Sequence, residues 1–339
     1  MHNHNPELQR RRVVRPRAHA CERPSSANDA RKMHKAAVHT TLHGHRALLL
    51  GPLRPNAAPR PPLVLLGGTA QWIGSWMGHL TPLARERKVL CYETRGQAGA
   101  TSTLDVADCT LQRHATDMAA VLGEAGVASS PFDVCGFSFG GRVAMAAASR
   151  RDAGGQSLLP GLRRLAITGV SADRGHRGRL ALQSWRASLA AGDLAGFVWK
   201  LILDTHSSAY LQAHEAEVTG WVRAVVRANS LAGLRAIVEQ THTEDPDDRD
   251  HPLAMAVEVA ASRSGSSGGA VSGGGGGDSA LEAGLLVAGA EDLLSPAGTA
   301  RTLADAAGWR FAELEGAAHA TPIEQAVAWR RTVLGFLDE

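Results

Sequence analysis

Residues 132–150, FDVCGFSFGGRVAMAAASR, leave the chain few folds to choose from. A β-forming apolar run meets a run of small helix formers, and only Gly136-Phe137-Ser138-Phe139-Gly140 separates them. A strand that becomes a helix over so few residues must turn sharply. The positions beside Ser138 must then be small, because side chains there would collide with the strand or the helix. Gly141 continues the small set, and Ala144 and Ala146 let the helix lie close to a sheet.

The same rhythm runs on either side. VHTTLH and RALLL read as a short leading hairpin. PLVLLGG (62–68), KVLCYET (88–94), FDVCG (132–136) and LRRLAITGV (162–170) read as strands buried in a sheet. HLTPLARE and LQRHATDMAAVLGEAG, the latter stopped by Gly126, read as helices between them. Alternation of this kind predicts an α/β fold, a mostly parallel central sheet with helices on both faces. Residues 174–258 show helical stretches and no strand. LLVAGAE (285–291), a helix, RFAELEG (310–316) and a last helix near 322–337 then resume the rhythm. The expected division is a core of 38–172 and 281–339, a helical insertion of 173–260 and a flexible Gly/Ser-rich loop of 261–280.

With 339 residues, 44% hydrophobic and 20% charged, the chain can bury a sizeable core, which excludes disorder as a whole. No run of eighteen apolar residues occurs, so no membrane-spanning helix is expected. Cys21, Cys91, Cys109 and Cys135 form no C-x-x-C pair and no disulfide framework, which suits a reducing compartment. The net charge of +3 hides an asymmetry. Residues 1–40 hold nine Lys and Arg against three acids, and the rest carries −3. A body without excess positive charge argues against a nucleic-acid partner. The basic, acid-poor residues 1–37 lack an apolar core and read as an organelle-targeting segment. A basic tail on a cytoplasmic protein, or a start at Met33, is the alternative.

Ser138 at such a turn can be a nucleophile, but only with a base and an acid to orient that base. Asp292 follows the strand ending at Ala290-Glu291, and His319 follows the strand ending at Glu315-Gly316. All three candidates therefore fall just past strand ends, where open α/β sheets build their sites. Glu291 and Asp173 are rival acids, and Asp173 suits the opening of the helical insertion better. Two backbone N–H groups should face the developing oxyanion. The expected donors are Phe139 and Thr69, the latter on the Gly67-Gly68-Thr69 turn after the first buried strand. Gly68, Trp72, Trp76, Phe137 and Trp185 are candidates for an apolar substrate pocket. No dinucleotide or P-loop glycine motif and no zinc-protease motif occurs, so neither a cofactor nor a metal is expected.

GFSFGG (136–141), the G-x-x-D-x-x-x-P around Asp292 and the G-x-x-H ending at His319 resemble the α/β-hydrolase superfamily, in its branch with a helical cap. Glu93 to Thr101 looks like that family's D-x-R-G-x-G-x-S loop with one extra residue, and Asp117 fits its habit. The resemblance spans residues 62–339 apart from the Gly/Ser stretch. It implies hydrolysis of a small or medium carboxylic ester or thioester through an acyl-enzyme. The LLGGTAQ-x-x-x-SW run (65–76) is similar to plastid α/β-hydrolases and to 2-succinyl-6-hydroxy-2,4-cyclohexadiene-1-carboxylate synthases. That likeness implies a lyase as the alternative activity and a plastid, or else a mitochondrion, as the destination. A non-catalytic receptor for a small ligand is a third reading on the same fold.

Overall fold

The computed structural model describes residues 37–54, 58, 60–102, 104–264 and 281–339. Of the targeting segment expected over 1–37, residues 1–36 lie outside the described residues, as do 265–280 of the loop expected over 261–280; residues 261–264 are not loop but the last turn of the helix Pro252–Ser264.

Eight strands form one sheet: β1 (Val38–Leu42), β2 (His45–Leu50), β3 (Leu63–Leu66), β4 (Val89–Tyr92), β5 (Phe132–Phe137), β6 (Leu162–Thr168), β7 (Ala283–Gly289) and β8 (Arg310–Leu314). Their order is β1-β2-β4-β3-β5-β6-β7-β8. β1 and β2 form an antiparallel hairpin and β2 meets β4 antiparallel, while every later pairing is parallel. β3, β4 and β5 are buried at every position, as strands covered on both faces must be. From β3 the chain crosses to β4 on one side and later returns to β5 on the other. This reversal opens a crevice at the carboxyl ends of β3 and β5, the place where open α/β sheets bind ligands.

Helices cover both faces. α1 (Met77–Leu83) and α12 (Ala326–Leu337) enclose one apolar layer with Trp76, Leu80 and Trp329. On the other face α2 (Leu111–Glu124), α3 (Phe139–Ser149) and α10 (Ala297–Ala307) enclose a layer with Met118, Phe139 and Leu303. The final helix expected near 322–337 is two helices, α11 (Thr321–Glu324) and α12. Gln325, at φ −118° and ψ 47°, breaks between them.

Between β6 and β7 lie α4 (Gly175–Ala190), α5 (Leu194–Thr205), α6 (Ser208–Ala213), α7 (Glu215–Ala228), α8 (Leu231–Gln240) and α9 (Pro252–Ser264). α4, α5, α7 and α8 bury their own apolar cluster around Trp185, Phe197 and Leu234, which reaches the sheet through Ala70 and Leu294. α9 differs, since it packs against α3 and α10 and sends Met255, Ala256 and Val259 into the sheet-side core. The last part of the expected insertion thus belongs to the α/β layers. No helix among the described residues is long and apolar enough to cross a membrane.

The α3 turn fits so tightly that one methyl group tests it. A Cβ on Gly140 would stand 2.5 Å from the Leu66 carbonyl oxygen and 2.6 Å from that of Gly67. Both are backbone atoms at the end of a central strand and cannot swing aside. Gly140→Ala is expected to destabilise the protein by about 3 kcal/mol, the upper range for overpacking. Gly298→Ala, on α10 with open space around it, is expected to melt at or slightly above the wild-type temperature. Thermal melts of the two variants side by side check this.

Candidate active site

Ser138 occupies the turn between β5 and α3 with φ 51° and ψ −115°, a conformation strained for any side chain. Its N–H donates to the Thr168 carbonyl at 2.7 Å, which ties the turn to β6. Gly136 packs against Gly141, where a Cβ would come within 2.6 Å of the Gly141 Cα. Small residues at 136, 140 and 141 therefore hold the serine in a geometry that a looser turn would relax.

Asp292 lies three residues beyond β7, and His319 lies in the segment joining β8 to α11. One Asp292 carboxylate oxygen accepts from the N–H groups of Leu294 and Ser295, both at 2.8 Å. The other stands 2.8 Å from His319 Nδ1. An ionised carboxylate only accepts, so the ring proton sits on Nδ1 and the lone pair on Nε2. Nε2 is 2.8 Å from the Ser138 hydroxyl, which donates to it. Asp292 and His319 are 4% and 5% exposed, so little water competes for these bonds. Of the rival acids, Glu291 is exposed, and the Asp173 carboxylate caps the Gly175 N–H at 2.7 Å and binds Arg179 at 2.6 Å. Asp173 thus starts α4, as its position suggested.

Two backbone donors border the serine. Phe139 is the first residue of α3, so its N–H has no carbonyl within the helix to bind. On the turn after β3, the Gly68 N–H donates to Gln71 Oε1 at 2.8 Å and the Ala70 N–H donates to Gln97 Oε1. Neither the Thr69 N–H nor the Phe139 N–H has an acceptor among the described residues. Both residues line the cavity that contains Ser138 and His319.

That cavity encloses about 570 Å³ of empty space, counting its open mouth, and it is not the apolar pocket expected. Trp185 lines it, beside Arg142, Arg174, His242 and His251. The other expected lining residues lie elsewhere. Trp76 is 3% exposed and packs on His79 and Trp329, because the 3₁₀ turn of residues 73–76 directs Ile73 and Trp76 inward together. Phe137 backs Gly68 and the His319 ring, and with Trp76 it borders a smaller, separate crevice. Gly68 serves this packing, since a Cβ there would stand 2.9 Å from the Phe137 ring. Trp72 packs over Gly74 and borders neither space.

Arg142 carries the least satisfied charge in the cavity. It follows Ser138 by one helical turn, is 3% exposed, and gives one nitrogen to the Asp250 carbonyl at 3.2 Å. Its Nε and Nη1 have no partner among the described residues. Burial, reinforced by Arg174, pushes its guanidinium down to about 9, which still leaves it charged at neutral pH. His242 is held well below the usual histidine range, first by burial and then by Arg174 and Arg142. Burial and then Arg142 act the same way on His251. Both imidazoles are thus neutral at pH 7. Sequence reading passed over Arg142, although an arginine four residues after the serine, in a helix of small and apolar residues, marks it. Arg95, on the Glu93 to Thr101 loop, is engaged elsewhere. It grips Asp117 at 2.8 and 3.0 Å and the Asp105 carbonyl at 2.8 Å.

No family model matches the sequence, and no curated protein does. Solved structures do match in shape. An enol-lactonase from Burkholderia xenovorans superposes with a TM-score of 0.67 at 20% identity, covering 89% of this chain and 100% of the other. A bromoperoxidase from Bacillus anthracis gives 0.65 at 13% identity, over 90% and 100% of the two chains. A thermophilic esterase from Thermogutta terrifontis gives 0.63 at 16%, over 89% and 98%. The chain has the α/β-hydrolase fold.

Proposed function

We propose that the protein is a serine hydrolase that cleaves a small or medium carboxylic ester or thioester carrying a negative charge. The hydrogen-bonded line Asp292–His319–Ser138, held at 2.8 Å in both links, carries the reading. His319 Nε2 takes the hydroxyl proton as Ser138 Oγ attacks the carbonyl, and Asp292 stabilises the imidazolium that forms. The Thr69 and Phe139 N–H groups receive the oxyanion. His319 returns the proton to the leaving alcohol or thiol, and water then releases the acid from Ser138. The lactonase and esterase among the structures of similar shape agree with this chemistry.

The anionic requirement comes from Arg142. Two buried guanidinium nitrogens without a partner among the described residues are costly, and a substrate carboxylate in the cavity would satisfy them. The same feature favours a second reading, a lyase in which the Ser138–His319 pair abstracts a proton and a carboxylate-bearing group is expelled. Product analysis separates the two, since a hydrolase yields acid plus alcohol and a lyase yields an alkene plus the expelled acid. Arg142→Met is expected to lower kcat/KM on a succinate monoester by about 10²-fold, the worth of a charged hydrogen-bond pair, and to leave a neutral acetate ester within about threefold. Equal losses on both esters would remove the carboxylate from the account.

A further inference from the structure

Ala70 sits beside Thr69 with φ +65°, a left-handed conformation that disfavours any residue but glycine. The Gln71 N–H closes the turn onto the Gly68 carbonyl at 3.2 Å, so Ala70 holds the third position, where a turn with positive φ prefers glycine. Such strain persists only where the surroundings impose it. Here they do so through two side-chain amides from other segments. Gln97, 1% exposed, accepts the Ala70 N–H on Oε1 and donates from Nε2 to the Thr94 hydroxyl at 2.7 Å. Asn229, at the end of α7, donates from Nδ2 to the Ala70 carbonyl at 3.0 Å. Its Oδ1 accepts the Ala98 N–H, also at 3.0 Å, and Ala98 is itself a non-glycine residue at φ +44°. Both backbone polar groups of Ala70 are thus occupied, and the amide left free on the turn is that of Thr69.

We propose that Gln97 and Asn229 are positioning residues for the oxyanion site. They hold Ala70 in its strained conformation and so keep the Thr69 N–H turned out beside Ser138. Asn229 belongs to the helical insertion, so seating of the insertion becomes a condition for a complete oxyanion site. The proposal rests on the serine-nucleophile reading.

The test is the rate at which an alkyl fluorophosphonate modifies Ser138. In that reaction Oγ–P forms, P–F breaks, fluoride leaves and His319 takes the hydroxyl proton. Saturation kinetics split binding (KI) from reaction (kinact). Gln97→Met deletes the acceptor. Gln97→Glu keeps one, and the Thr94 hydroxyl can donate to its second oxygen. Asn229→Leu removes the brace from the insertion and serves should Gln97→Met fail to fold. Gln97→Met and Asn229→Leu are expected to lower kinact by roughly 10- to 100-fold, short of the 10²- to 10³-fold loss for deleting a donor outright. KI should stay within about threefold, and Gln97→Glu should react within about threefold of wild type. A wild-type protein inert to the probe would overturn the serine reading and this proposal with it. A reactive wild type whose Met and Leu variants react as fast would overturn the positioning role alone, as would a Gln97→Glu variant as slow as Gln97→Met.

Discussion

Ser138→Ala is expected to lose essentially all turnover, by about 10⁶-fold, the usual cost of deleting a triad nucleophile. The effect is large because the residue does two things at once. In the proposed mechanism its Oγ supplies the attacking electrons, and its strained backbone at φ 51° holds that oxygen 2.8 Å from His319 Nε2. Alanine fits the same backbone, so the variant should keep the wild-type melting temperature within a few degrees. Steady-state hydrolysis of the best ester, with a melt as the folding control, checks both parts. A variant retaining a tenth of the activity would mean that another group attacks.

Asp292→Asn should cost about 10⁴-fold in kcat, far more than Asp173→Asn. Asp292 accepts from the Leu294 and Ser295 amides on one oxygen and faces His319 Nδ1 with the other. An asparagine that keeps its oxygen on the two amides turns its NH₂ toward the ring. Nδ1 must then accept, the ring proton moves to Nε2, and the lone pair that should take the serine proton is gone. Asp173 accepts the Gly175 N–H and binds Arg179, and an asparagine keeps the first of these contacts, so its amide should alter turnover less than about threefold, the worth of an exposed ion pair. Parallel kinetics on the two variants decide the matter, and equal losses would reopen the choice of acid.

Ser138, Asp292 and His319 were legible because chain order and strand ends locate them without any knowledge of packing. A residue just past the carboxyl end of a parallel strand reaches the crevice wherever the helices dock. The turn of residues 67–71 was legible for the same reason. The lining of the cavity was not. Trp72, Trp76, Phe137 and Trp185 looked equivalent as aromatics near the motifs, yet only Trp185 borders the cavity with Ser138. What separates them is a 3₁₀ turn that buries Trp76 and a helix, α4, that carries Trp185 across the site. Neither follows from a period of 2 or 3.6. His242 and His251 border the cavity from segments between helices, and their approach depends on the docking of α8 and α9. Asn229 and Gln97 meet at Ala70 from positions 132 residues apart, and nothing local announces it. The two-helix C-terminus escaped a helical pattern that runs straight through Gln325. Its break accompanies a tertiary contact in which the Glu324 carboxylate accepts the Ala318 and Ser207 N–H groups, both at 3.1 Å.

A Ser138 nucleophile must carry the acyl group during turnover. Acid quenching of the protein in the steady state with a p-nitrophenyl ester, followed by tryptic mass spectrometry, measures this directly. The account predicts one acyl mass increment on the peptide of residues 114–142, assigned to Ser138 by fragmentation and absent from Ser138→Ala. Turnover without an increment on that peptide, or an increment on another residue, would contradict it.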